Sequence, residues 1–226
     1  MTDGQARVFL DANVLAKPIT RSLLMFASDQ SAFEVVWSAH AEREADRHLG
    51  GSKKPMAEIR AKAEQSLSPT GSRPKRFAQT AATDRQILAD AEAAKAQFII
   101  TEDVDDFAAD DLAAAGVAAV NPDLFLAERA TLDGYVRAVR VMAAAMTDPA
   151  RTPEELHARL GRQHPRTTAE HSSAYASRPL PPTHNQPAVL FRGSRCLHCL
   201  RVSQPLILGV CHDCREDRQR TLLSKL

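Results

Sequence analysis

The chain has 226 residues, a formal net charge of +1 and 44% hydrophobic residues, enough for one large domain or a medium domain with a small companion. No apolar run reaches the ~18 residues of a membrane span. The polar start, Met1-Thr-Asp-Gly-Gln, lacks the basic and apolar regions of a signal peptide, so a cytoplasmic protein without membrane contact is expected. The near-neutral total hides an asymmetry. Residues 1–150 carry 17 Lys/Arg against 22 Asp/Glu, and residues 151–226 carry 12 against 6. An acidic half that holds metal beside a basic half that contacts phosphate suits a nucleic-acid enzyme; two solvated surfaces of opposite sign give the same count.

In chain order, Val8–Leu10 reads as a short buried strand and Ile19–Ser28 as a helix with Leu23, Leu24 and Phe26-Ala27 on its apolar side. Phe33–Trp37 is a second strand. Ser38 caps the next helix, which has an Ala41, Ala45, Leu49 stripe and stops at Gly50-Gly51. Residues 52–76 are basic, with a helix expected from Pro55 to Leu67 and a break at Pro69-Thr-Gly-Ser. Thr83 caps a helix to about Ala96. Gln97–Thr101 is a third strand, Asp110–Ala115 a short helix ended by Gly116, and Val117–Val120 a fourth strand. Strands alternating with helices predict a parallel sheet covered on both faces. Thr131–Met146 reads as a helix, and Thr152-Pro153-Glu154-Glu155 opens another through a capping box. Residues 164–195 hold five Pro and four Ser and read as a linker.

Strand one ends in an acid, Asp11-Ala12-Asn13, at the sheet edge where open α/β folds bind ligands. Further acids follow at places the topology can bring alongside. Glu44 lies on the helix after strand two. Glu42 is two residues earlier and points about 200° away around that helix; Ala41 and Ala45 flank Glu44 more closely and favour it. Asp84 follows the Thr83 cap, where helix N-termini also favour Asp for dipole reasons alone. Asp103, with Asp105 and Asp106 beside it, follows the end of strand three. Two carboxylates ~4 Å apart repel by roughly 1–4 kcal/mol, and an oxygen-seeking cation such as Mg²⁺ or Mn²⁺ removes that cost.

The stretches VFLDANVL at 8–15, W-S-x-x-x-x-x-E at 37–44, DRQILADA at 84–91 and IITEDVDDF at 99–107 together resemble a PIN-domain ribonuclease. Residues 116–126 are similar to the closing strand and helix of toxins of the VapC type, and TPEELHARL at 152–160 to a helical extension of one branch. The resemblance implies a three-layer α/β/α, PIN-like domain with a central parallel sheet over residues 1–128 and a helical extension over 129–163. It implies a Mg²⁺- or Mn²⁺-dependent endoribonuclease leaving 5′-phosphate and 3′-hydroxyl ends. Asp11, Glu44, Asp84 and Asp103 are the implied catalytic acids, with Asp11 and Asp84 as metal ligands. Asn13, Glu42, Thr101 and Asp106 are supporting or alternative residues: Asn13 orients Asp11 or its water, Thr101 or Ser38 bonds the cluster (Ser38 reading first as a simple N-cap), and Asp106 competes with Asp103. An antitoxin partner and a homodimer are further implications. Asp90 stands where such proteins carry a small apolar residue and reads as a surface substitution. Two other folds with a strand-end Asp fit worse. The haloacid-dehalogenase type wants an acid where Asn13 stands, and a receiver domain needs a Lys after its last strand.

Cys196-Leu-His-Cys199 and Cys211-His-Asp-Cys214 are two C-x-x-C knuckles 11 residues apart. All the cysteines fall here, which in a reducing compartment favours metal over disulfides. Four thiolates close a tetrahedral, structural Zn²⁺ site, so residues 196–226 read as a small zinc ribbon and basic tail. Pro205–Gly209 is expected as a strand and turn, and a short helix is expected after Cys214. His198 and His212 are substitute ligands or solvent-facing. Arg192, Arg195, Arg201, Arg215, Arg218 and Arg220 contact RNA phosphate, a partner, or only solvent. The reading from a different class is a regulatory or nucleic-acid-binding module whose acids no longer catalyse.

Overall fold

The computed structural model describes residues 5–49, 54–183, 187–203 and 205–223; the Gly50-Gly51 helix stop, Lys53 and the extreme termini lie outside them. The elements run β1 (Ala6–Leu10), α1 (Ala12–Leu15), α2 (Pro18–Ser28), β2 (Phe33–Val36), α3 (Ala39–Leu49), α4 (Met56–Lys62), α5 (Arg85–Ala93), β3 (Phe98–Ile100), α6 (Ala109–Ala115), β4 (Ala118–Val120) and α7 (Pro122–Arg129). They continue as α8 (Leu132–Ala145), α9 (Pro153–Leu160), α10 (Pro165–Glu170), β5 (Phe191–Arg192) and α11 (His212–Leu223).

The sheet order is β2-β1-β3-β4-β5, parallel except for β5, which pairs antiparallel to β4. Every residue of β3 and of β4 is buried. Neighbouring residues of a strand point to opposite faces, so both faces of the sheet are covered. α8 packs on α2 and on α9, and α5 packs on α3 and on α6. The chain moves from β1 outward to β2, then back across β1 to β3. The reversal makes a switch point between β1 and β3, where crossovers diverge and leave a crevice beyond the strand C-termini. Leu10 pairs with Ile100 there, and the Asp11 N–H bonds the Ile100 carbonyl at 3.1 Å. Asp11 and Thr101 are therefore the next residues out from the last rung.

The four strands expected for the central sheet and most expected helices are present. α9 carries the full capping box, with Glu155 N donating to Thr152 Oγ1 at 3.2 Å and Thr152 N to Glu155 Oε2 at 3.0 Å. Four expectations need correction. The insert helix ends at Lys62, short of Leu67, because Glu64 turns left-handed at φ 52°. The chain then runs beside the end of β2, with Ser68 N donating to the Trp37 carbonyl at 2.9 Å. Asp90 is fully buried, so it is no surface substitution. It accepts from Ser38 Oγ, from Gly71 N at 2.7 Å and from Gln86 Nε2 at 2.6 Å. A buried carboxylate is tolerable only with partners of this kind, and these fasten the insert to α3 and α5. Gly71 sits so close to α5 that a Cβ there would lie 2.0 Å from the Ala89 carbonyl oxygen.

The stretch 164–195 is no plain linker. It contains α10 and β5, and His164, Thr167, Thr168 and His171 are buried. Asp123, 44 residues from Thr167, accepts from the N–H groups of Arg166 and Thr167 and so satisfies the start of α10 from outside. Finally, Pro205–Gly209 forms no strand. An isolated Ile207–Val210 bridge closes a tight turn there, with Leu208 and Gly209 at positive φ, and α11 begins at His212.

Candidate active site

Asp11 ends β1 and caps α1. Its Oδ1 accepts from Ala12 N at 2.6 Å and its Oδ2 from Thr101 Oγ1 at 2.7 Å. The group is buried, and burial pushes its pKa up to about 7, against the Thr101 hydrogen bond, with help from the charges of Asp84 and Glu44. Asp84 occupies the cap position of α5, yet its side chain makes no capping bond. It accepts instead from Thr83 Oγ1 at 2.8 Å. Partial burial raises its pKa, opposed by Thr83 and reinforced by Asp106, Glu44 and Asp103. The dipole explanation for an acid at this position thus does not account for where its carboxylate is used. Asp11, Glu44, Asp84, Asp103 and Asp106 share one electrostatic neighbourhood at the switch point.

Glu42 and Glu44 separate cleanly. Glu42 is buried and its Oε2 accepts from Trp37 Nε1 at 3.1 Å and Arg60 Nε at 2.9 Å. It ties the end of β2 to α4 and takes no part in the acid cluster. Glu44 faces the cluster and lies 3.5 Å from His40 Nε2, a neighbour one helical turn away that the acid pattern alone does not reveal. Glu42→Gln is expected to lower stability by about 1–2 kcal/mol, the loss of a charge-assisted bond, while divalent-cation binding is retained. Glu44→Gln is expected to do the reverse. Urea unfolding and Mn²⁺ titration of both variants check this, and the opposite pattern would exchange their roles.

Asn13 and Thr101 organise the opening. Asn13 Nδ2 donates to Thr101 Oγ1 and to Asp103 Oδ2, each at 3.0 Å, and Asp103 N donates to Thr101 Oγ1 at 3.1 Å. Asn13 therefore orients Asp103 directly and reaches Asp11 only through Thr101. Ser38 is engaged as the α3 cap, accepting from Ala41 N at 3.2 Å, and as a donor to Asp90. Asp105 is drawn away from the acids by Arg192, at 2.6 Å. The charges of Asp103 and Asp106 both raise the pKa of Asp84, and of the two only Asp103 is bonded by Asn13.

Beside Asp103 opens a cleft of about 520 Å³, lined by Lys17, Thr20, Glu102, Asn121 and Arg162 among others. Among the described residues, the four cysteines are the group of three or more His, Cys, Asp or Glu whose ligand atoms lie within 4.8 Å of one another. Among the described residues, no three of the acids bring carboxylate oxygens within that distance of one another.

The cysteine cluster is closed. A tetrahedral site with metal–sulfur bonds of ~2.3 Å has sulfur–sulfur edges of ~3.8 Å, and Cys199 Sγ and Cys211 Sγ are 3.8 Å apart. Cys211 N donates to Cys196 Sγ at 3.4 Å. At Cys199, burial opposes ionisation, but hydrogen bonds from Arg201 outweigh it and bring the thiol down to about 6. These four residues could hold a zinc ion, with every position filled by sulfur. His198 and His212 are not needed as ligands. His198 bonds Glu128 at 2.7 Å and His212 lies 3.3 Å from Glu216.

The surrounding arginines are largely committed to the protein. Arg192 bonds Asp105, Arg195 the carbonyls of Leu200 and Gly116, Arg201 Asp213, Arg218 Glu128 and Glu170, and Arg220 Glu216 and Asp217. Comparison with family models, with curated proteins and with solved structures returns no match. The molecule is an α/β protein with a five-stranded, mostly parallel sheet and a four-cysteine cluster near its C-terminus, and among the described residues no helix is long and apolar enough to cross a membrane.

Proposed function

We propose that the protein is a metal-dependent ribonuclease of the PIN type whose Asp11 and Asp84, with Glu44 and Asp103 beside them, hold Mg²⁺ or Mn²⁺. The observation that carries this reading is Asp11, a carboxyl buried at the β1/β3 switch point and bonded by Thr101 Oγ1; burial, with the charges of Asp84 and Glu44, pushes its pKa up to about 7. Such a grouping costs stability unless a cation or proton neutralises it. The donor set is all oxygen, which suits a hard divalent cation rather than zinc. Bound there, the cation would polarise a phosphate oxygen and lower the pKa of a water.

The chain's own residues supply the rest. Thr101 keeps the Asp11 carboxylate in one orientation, and Asn13 does so for Asp103. Arg162 lines the neighbouring cleft and offers positive charge to a phosphate backbone, while Lys17 there is paired with Glu102; the cleft volume falls within the few hundred Å³ of small-ligand sites. In a toxin–antitoxin pair, as the sequence resemblance implies, the partner would cover this crevice. The test is cleavage of single-stranded RNA by the purified chain with Mn²⁺. Activity in the wild type and its loss in Asp84→Asn support the reading; an Asp84→Asn protein of full activity removes it.

A further inference from the structure

We propose that Arg192 is a positioning residue that ties the acid-bearing loop 103–107 to the zinc-organised C-terminal segment, making the acid site dependent on the cysteine cluster. This rests on the metal-site reading above, and its structural half can be tested without it.

The loop after β3 carries Asp103 and Asp106; a 3-10 turn at Val104–Asp106, the buried Val104 and Phe107, Asn13 on Asp103 and Ala81 N on the Asp106 carbonyl at 3.0 Å hold it from the side of the sheet, and Asp105 between them is held from the other side. Arg192 reaches the loop from β5 with three bonds. Nη1 donates to the Asp105 carbonyl at 3.2 Å and to the Phe107 carbonyl at 3.0 Å, and Nη2 donates to Asp105 Oδ1 at 2.6 Å. An exposed ion pair alone would be worth little. Two carbonyls and a carboxylate held by one planar guanidinium fix the loop's path as well as its charge. The same contact pairs Asp105 with a guanidinium, while Asp103 and Asp106 act on Asp84 through their charges.

Arg192 is in turn held by the segment C-terminal to it. β5 is only two residues long, Phe191–Arg192, at the sheet edge. A strand of that length cannot hold its place by ladder bonds alone. On its N-terminal side the buried Leu190 accepts from Asn121 N at 2.8 Å, and on its C-terminal side the cysteine knuckles anchor it. Leu197, inside the first knuckle, is fully buried in the main core, and Leu197 N donates to the Gly209 carbonyl at 2.7 Å. Gly209, before the second knuckle, packs so tightly on Phe191 and Leu197 that a Cβ there would lie 2.8 Å from the Phe191 ring. Arg195 bonds the Gly116 carbonyl before β4 at 3.0 Å. The order of dependence is therefore cysteines, knuckles, Phe191, Arg192, acidic loop.

Hydrogen exchange of the full-length protein tests the chain of contacts, with Mn²⁺ titration beside it. Arg192→Ala and the zinc-stripped wild type are both expected to speed exchange of amides in 103–108 by about tenfold or more, with the amides of 33–36 unchanged. Mn²⁺ affinity is expected to fall about 10- to 100-fold, as when a group supporting a metal ligand is lost. Arg192→Ala retains the cysteines, so it reports on the clamp even if stripping zinc disturbs more. Unchanged exchange in 103–108 in either sample would overturn the proposal. A wild type that binds no Mn²⁺ would remove the metal-site reading, while the exchange result still decides the clamp.

Discussion

Asp11→Asn is expected to abolish metal-dependent RNA cleavage, by at least about a thousandfold, or ~4 kcal/mol of transition-state stabilisation, while leaving the metal-free protein more stable at pH 8. The two halves have one cause. In the folded chain the Asp11 carboxyl is raised to about 7 from 3.8. A group whose folded pKa is raised contributes stability that is fully present below its unfolded pKa and is lost as pH rises through the folded value. The stability of the metal-free wild type should therefore lose a contribution of about 2–4 kcal/mol between pH 4 and pH 8, an order-of-magnitude figure from the linkage of one buried carboxyl. Asparagine does not titrate and removes that slope.

His157, His164 and His171 act in the opposite sense. Burial lowers their pKa values, so their contribution is lost as pH falls below about 6.5. For that reason the informative quantity is the difference between variant and wild type, by urea unfolding at pH 5 and pH 8. A difference that does not change with pH would contradict the burial argument for Asp11. Added Mn²⁺ should stabilise the wild type more at pH 8 than at pH 6, because the cation must displace the Asp11 proton, and should leave Asp11→Asn almost unaffected.

The second large effect belongs to the cysteines. The four sulfurs and their knuckles bury little apolar surface of their own; the small cluster comprises Cys196, Val210 and Cys211 with Cys199, Leu206 and Cys214 against it. A unit of that size needs a metal to hold it, and a structural zinc site is worth ~10–16 kcal/mol of apparent binding free energy. One zinc per chain is expected in the purified protein. Cys211→Ser, or removal of the ion by a strong chelator, is expected to lower the melting temperature by at least about 10 °C, since several kcal/mol are withdrawn from a chain of this size. Metal analysis and thermal unfolding measure both. A protein purified without zinc, and indifferent to the chelator, would show that the thiols serve another purpose.

How far the chain could be read from its letters depended on whether structure and partner lay close in sequence. β1, β2, β3 and β4 are apolar runs that turn polar at their ends, and Asp11 and Thr101 are legible because they stand where those runs stop. The capping box at Thr152 is local for the same reason. Glu44 is preferred to Glu42 on helical spacing, and in the structure Glu42 bonds Trp37 and Arg60. Less was legible where a single distant contact does the work. Asp90 looks like a stray surface acid until Ser38, 52 residues away, and Gly71 are brought to it. Residues 164–195 have the composition of a linker, yet Asp123 secures α10 and the sheet edge receives β5. The six arginines around the cysteines suggest phosphate contact by composition, and five of them are engaged with carboxylates or carbonyls of the chain itself. Charge counted along a sequence does not say how much of it is already neutralised in the fold.

The central claim is that acids gathered at the β1/β3 switch point direct metal-assisted hydrolysis of RNA. Its most direct test is the chemistry of the product ends left by the wild-type protein on a defined single-stranded RNA with Mn²⁺. Attack by an activated water predicts 5′-phosphate and 3′-hydroxyl ends, absent with Asp11→Asn. Ends carrying 2′,3′-cyclic phosphate and 5′-hydroxyl, formed equally well in the presence of a chelator, would contradict the account.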